Sequence, residues 1–239
     1  MMSDLLTSLP PGALMMLAAV PLVLVPHHAR QVVMLLAIAG SAFSLTAGAG
    51  QHLNIEMLGF EMSLYRADHL SLPFAIVFHI AAALNVFYGW HERKATDHVA
   101  GLSYAGAAIA ALHAGDLVTL FIWWEATAVT SVFLILASGT QRARRAAMRY
   151  LIVQVASGVL LLAGAAMLYS ESGSLAFAGM TLGSTGTWMI FIAFGIKAAF
   201  PLLNGWLQDA YPEATVVGTV VLSSFTTKLA IYALSLIHI

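Results

Sequence analysis

Two lysines, Lys197 and Lys228, lie inside the apolar stretches F-G-I-K-A-A-F-P-L and S-S-F-T-T-K-L-A-I-Y-A-L. An ammonium in hydrocarbon costs at least ~3 kcal/mol, so an amine placed there faces protein or water and commonly carries function. A carboxylate, Glu125, sits in similarly apolar surroundings, L-F-I-W-W-E-A-T-A-V-T-S. Burial favours the neutral form of an amine and a nearby carboxylate favours the charged form, so such a pair suits loading and releasing a proton. Pro201 follows Lys197 by one helical turn. It lacks the N–H that would bond the Lys197 carbonyl, and its ring crowds that carbonyl. The spacing predicts a helix broken beside the amine. Such breaks are tolerated at membrane depth where protein or a cavity covers the backbone.

The elements that hold these residues follow from composition. The chain has 239 residues, 60% hydrophobic and 9% charged, against about 25% charged in soluble domains. This reads as an all-α integral membrane protein within a lipid bilayer. A net charge of −1 with no basic block points to no nucleic-acid partner. Without cysteine there is no disulfide, thiolate metal site or cysteine-ligated cluster. The nine histidines lack paired zinc spacing, and no glycine-rich nucleotide fingerprint occurs. The expectation is a chain with no cofactor, no metal and no redox site of its own.

About eight apolar segments can be marked. They run over 11–25, 31–49, 68–90, 99–114, 116–137, 146–169, 187–207 with its break, and 214–236. Most approach the ~20 residues needed to cross. The first is read as a retained helix, since it lacks a basic leader and a small-residue cleavage site. Residues 50–66 alternate around Gly59 and predict a hairpin outside the bilayer. Loops after the odd segments hold Arg30, Arg93, Lys94, Arg142, Arg144, Arg145 and Arg149, whereas those after the even segments hold only Arg66 among the strong bases. The excess of basic residues places the odd-segment loops in the cytoplasm and the hairpin outside, on the periplasmic side.

Glu125 and Lys197 both lie about ten residues in from the outer side, roughly 13–15 Å at 1.5 Å per residue. An ion pair between them is geometrically available, and Lys228 falls in the same middle third. Three ionisable groups at one depth suggest a lateral relay bridged by water. Paired buried charges can instead simply fix helix packing. His79 and His113 read as packed or interfacial helix histidines, and Asp68 and Asp116 as helix caps. Asp209 and Glu213 flank Pro212 in a polar turn and read as solvated acids. Gln154, Ser157, Thr130, Ser223, Ser224, Thr226 and Thr227 suit either water chains or interhelical hydrogen bonds.

Three motifs together resemble the antiporter-like, proton-translocating membrane subunits shared by respiratory complex I and Mrp-type multisubunit cation/proton antiporters. They are A-G-D-L-V-T-L-F-I-W-W-E ending at Glu125, F-G-I-K-A-A-F-P-L with Lys197, and W-L-Q-D-A-Y-P-E-A-T followed by S-S-F-T-T-K with Lys228. The basic stretch R-R-A-A-M-R-Y-L-I-V-Q is similar to the family's sixth-helix entrance. The likeness is close over 100–234 and loose before it. It implies the first half of a fourteen-helix inverted-repeat fold: residues 1–98 form three helices and the hairpin, and 99–239 the first five-helix unit, truncated at the end. Asn204, Gln208 and Tyr211 stand where the family has histidine, proline and histidine. That departure argues against a histidine relay and leans towards the antiporter branch.

The resemblance further implies a multi-pass subunit of a bacterial inner membrane, with other membrane subunits as partners. The ions implied are protons, with Na+ as a second candidate, and the host is either an antiporter or an NADH:quinone oxidoreductase-like translocase. In this reading Glu125 sets the charge state of Lys197, Lys197 loads and releases the proton, and Lys228 passes it on. Two other classes stand beside it. One is a structural subunit docking partners through 142–149. The other is a seven-helix retinal protein with Lys197 as its Schiff-base lysine, which lacks an obvious acidic partner on segment three.

Overall fold

The computed structural model describes residues 10–50, 52–57, 59–177 and 180–238. Nine α-helices and one hairpin are defined within them: α1 (Ala13–Ala19), α2 (His27–Phe43), β1 (His52–Met57), β2 (Phe60–Arg66), α3 (Ser71–Tyr88), α4 (Ala95–Leu112), α5 (Leu117–Leu136), α6 (Gln141–Ser172), α7 (Thr185–Lys197), α8 (Gly205–Ala210) and α9 (Val216–Leu236). Among the described residues five helices are long and apolar enough to cross a membrane: α2 with its 3-10 extension to Ala47, α3, α5, α6 and α9. Two shorter apolar helices, Ala13–Val23 and Thr185–Lys197, are those that sequence reading marked with Pro21 and Pro201. Proline ends each early, because it removes a helical hydrogen bond and crowds the preceding turn.

The centre of the bundle is α4. Its residues are small (G-L-S-Y-A-G-A-A-I-A-A) and nearly all buried. Small side chains allow close backbone approach, which drives helix association in membranes where the lipid is as apolar as the interface. Helices α1, α3, α5 and α9 surround it. Two tyrosines tie α9 to it: the Tyr232 hydroxyl donates to Leu112 O at 2.6 Å, and Tyr104 meets Thr226 Oγ1.

The longest helix, α6, has 32 residues, about 48 Å at 1.5 Å each, against a hydrocarbon core of ~30 Å. It starts before Ala146, taking Arg142, Arg144 and Arg145 into its first turns, and ends on Gly173 in the left-handed conformation. Thr140 caps its start, accepting from Ala143 N. Helix α7 packs along α6, and the crossing is closest at Gly164 and Gly186. A Cβ built at Gly164 would stand 2.7 Å from Gly186 O.

The charged loops gather at one end. Arg30 donates to Arg93 O at 2.9 Å, and Lys94 Nζ to Ala137 O at 3.1 Å. Arg142 pairs with Glu213 at 2.6 Å, and Arg149 grips both oxygens of Asp209 at 2.6 Å. So the acids beside Pro212, expected to be solvated, are ion-paired. In the connector there, backbone N–H groups of Lys94 and Arg93 hold the Glu92 carboxyl below its ordinary range.

The antiparallel hairpin covers the opposite end, with a bulge between Leu53 and Asn54. It is pinned through Asp116, which caps α5. Asp116 Oδ1 accepts from Val118 N and Thr119 N, while Oδ2 accepts from Ser63 N of β2 and from Thr119 Oγ1. Gly115 N donates to Ser63 O at 2.9 Å. These bonds set the height at which α5 enters the bundle, and with it the depth of Glu125.

Candidate functional site

Helix α7 ends on Lys197, as Pro201 predicts. The backbone then turns through Ala199 (φ 58°) and Leu202 (φ 73°), the two non-glycine residues with positive φ among the described residues. Such conformations cost ~1–3 kcal/mol each and persist only where the surroundings enforce them. Here Phe200 N bonds back to Gly195 O at 2.9 Å, and Trp206 Nε1 donates to Ile196 O at 2.9 Å. The indole thus gives Ile196 O, which also accepts from Ala199 N at 3.1 Å, a second donor beside the break. In turn, Trp206 packs edge-on against Tyr150 of α6.

The Lys197 side chain is 1% exposed and points across the bundle to α5. Its Nζ donates to Trp124 O at 2.8 Å and to Thr127 Oγ1 at 2.8 Å. The amine also lies 4.2 Å from the centroid of the Trp124 ring. An ammonium here is held by one carbonyl, one hydroxyl and one π face, a set able to stabilise a desolvated cation without a carboxylate in contact. Trp124 is itself locked: its Nε1 donates to Ser157 Oγ at 3.0 Å, and Ser157 donates onward to Ala193 O at 2.8 Å. One indole therefore fastens α5, α6 and α7 together at the level of the amine.

Glu125 is the next residue along α5 and half-buried. Its carboxylate lies over Gly158 of α6, and a Cβ built at position 158 would overlap Oε1. A side chain at 158 would require the Glu125 carboxylate to move from this position. The direct Glu125–Lys197 ion pair that their equal depth makes available is not formed: the ion pairs among the described residues join other partners. Glu125 Oε1 has no hydrogen-bond partner among the described residues. The physical reason is directional. Consecutive residues on a helix point about 100° apart, so Trp124 and Thr127, three positions apart, share the face that holds the amine, and Glu125 points away from it towards Gly158.

Lys228 is not brought to this cluster. It lies on the exposed face of α9, with Nζ donating to Ser223 O at 2.6 Å. The polar residue facing inward near it is Thr226, bonded to Tyr104 of α4. Sequence reading missed Trp124 and Thr127, the two residues that hold the amine. Thr127 follows Trp124 by three positions in W-W-E-A-T, a same-face spacing that could have marked both. His79 and His113 are packed as expected, each bonding a carbonyl one turn back. Among the described residues no group of histidines and acids could hold a metal ion.

The site is thus a lysine buried at a helix break of an apolar helical bundle, with an acid nearby that makes no ion pair among the described residues. Residues 114–239 match the model of the transmembrane family described as NADH:quinone oxidoreductase/Mrp antiporter, and the chain belongs to that family. It is 29% identical over 191 residues to NAD(P)H-quinone oxidoreductase chain 4 1 of Synechococcus elongatus, covering 75% of this chain and 36% of that protein. The chain thus spans about a third of the length of that relative. Two solved structures share the fold. A chain of the membrane-bound sulfane sulfur reductase, an archaeal respiratory membrane complex, superposes with a TM-score of 0.83 at 20% identity, covering 97% of this chain and 40% of that one. A chain of the Mrp complex from Dietzia sp. gives 0.79 at 23% identity, covering 99% and 48%.

Proposed function

We propose that this chain moves protons as part of a multisubunit membrane assembly, either a cation/proton antiporter or a quinone oxidoreductase-like complex. The observation that carries the reading is Lys197: an amine 1% exposed, set at a helix break and held by neutral groups, with the Glu125 carboxylate nearby but not bonded to it. An amine so held can take up and give away a proton when a neighbouring charge shifts. Glu125 is the group whose movement or protonation changes that balance. Lys228, on the open face of α9, hands the proton on. Family membership and the likeness to chains of respiratory and Mrp complexes support this reading, as does the position of Lys197 at the end of α7.

The same reading takes residues 1–98 as a supporting unit and 99–239 as the first half-channel of a longer inverted-repeat transporter, about eight spans in all, multi-pass in a bacterial inner membrane. Its partners are other membrane subunits, and its ions are protons, with Na+ as the counter-ion in the antiporter case. Glu125→Ala and Lys197→Ala, made in the intact assembly in proteoliposomes, should each abolish proton or Na+ transport while the assembly stays together. Wild-type transport by Lys197→Ala would end the proposal.

A further inference from the structure

Gln154 of α6 is fully buried, and neither its Oε1 nor its Nε2 has a hydrogen-bond partner among the described residues. Glu125 Oε1, over Gly158 one turn further along α6, likewise has no partner among the described residues, while the hydroxyls around the amide are paired. Helices α5 and α6 run antiparallel and are bridged twice, by Trp124 to Ser157 and by Ser131 to the Tyr150 hydroxyl at 2.7 Å. Stepping from the first bridge towards the second, three residues along α5 and three back along α6, brings Thr127 opposite Gln154. Thr127 is the residue whose hydroxyl receives Lys197 Nζ. By this register Gln154 is level with Thr127, one turn of α6 from Tyr150 of the second bridge.

A buried amide without partners is strongly disfavoured, and buried water making two to four hydrogen bonds is the usual remedy at a polar site. The geometry points to a water site: we infer that the Gln154 carboxamide holds an ordered water that joins Thr127 and Lys197 to the Ser131–Tyr150 hydroxyls. Thr226 of α9 lies within reach of the Tyr150 hydroxyl and meets Tyr104 of α4. Gln154 thus opens a lateral line of oxygens from the amine towards the helix that carries Lys228. A proton leaving Nζ binds the water oxygen as one of the water's own protons moves to the next hydroxyl, which passes its own proton onward in turn. Water and hydroxyls thus end neutral, and a neutral Lys228 is the base that takes the last proton. Gln154 acts as a positioning residue, and this role rests on the proton-transfer reading of Lys197.

The test uses the intact assembly. A density map that resolves waters should show one within hydrogen-bond distance of the Gln154 amide. Gln154→Met, similar in length and flexible, should keep the assembly but slow proton transport at least about tenfold, a barrier change of ~1.4 kcal/mol. Gln154→Asn, which keeps an amide, should recover much of that loss; a purely steric role predicts no such rescue. A dry amide bonded to protein, or Gln154→Met at the wild-type rate while Lys197→Ala is inactive, overturns this inference alone. Wild-type transport by Lys197→Ala removes the underlying reading and this one with it. Should Gln154→Met fail to assemble, the water density in the unmodified protein decides.

Discussion

Lys197 is solvated by protein: a carbonyl, a hydroxyl and an aromatic face replace the water an ammonium would have. Removing one of these should be felt. A hydrogen bond to a charged group is worth ~1.5–3 kcal/mol, so Thr127→Val should slow transport about 10- to 100-fold, and Thr127→Ser should restore it; proteoliposome flux measures both. The lysine was legible in the sequence because a charge in an apolar run stands out. Its holders were not, since Trp124 and Thr127 look like ordinary residues of a spanning helix. The missing Glu125–Lys197 contact was equally hidden: depth along the helix can be counted from sequence, but the direction a side chain takes around it depends on neighbours.

At the scale of elements, the site depends on α7 stopping where it does and lying close against α6. Pro201 announced the stop. The close approach at Gly164 and Gly186 gave a weaker signal, because glycine is common in membrane helices. A side chain at 164 must push the helices apart, so Gly164→Val should destabilise the bundle by roughly 1–3 kcal/mol. Thermal unfolding of the detergent-solubilised protein should show a lower midpoint; an unchanged midpoint would mean that the contact between α6 and α7 is slack. Helix α4 taught the opposite lesson about hydropathy. Polar residues in its first turn, Thr96, Asp97 and His98, keep it out of the candidate spans, yet it is the most enclosed helix, because small residues are what a crowded centre requires.

For the molecule as a whole, the basic loops converge on one end and the hairpin covers the other. The excess of basic residues predicts a cytoplasmic position for the first end. The chain contains no cysteine, so single cysteines report sidedness without background. Arg145→Cys should react with an impermeant thiol reagent only from the cytoplasmic face, and Glu61→Cys only from the outer face. Labelling of both from one side would contradict the topology. Overall class and the basic-loop asymmetry could be read from the sequence, since both are compositional. How far each segment extends as helix could not, because caps such as Thr140 and Asp116 act through local bonds.

The most direct test separates a lysine that exchanges its proton from one that merely supplies charge. Arginine keeps a positive charge but does not release its proton in the physiological range. In reconstituted assemblies carrying Lys197→Arg, the account predicts that proton flux is lost while subunit composition is unchanged. Flux at the wild-type rate would show that the site needs only a fixed cation, and the proton-relay account would be wrong.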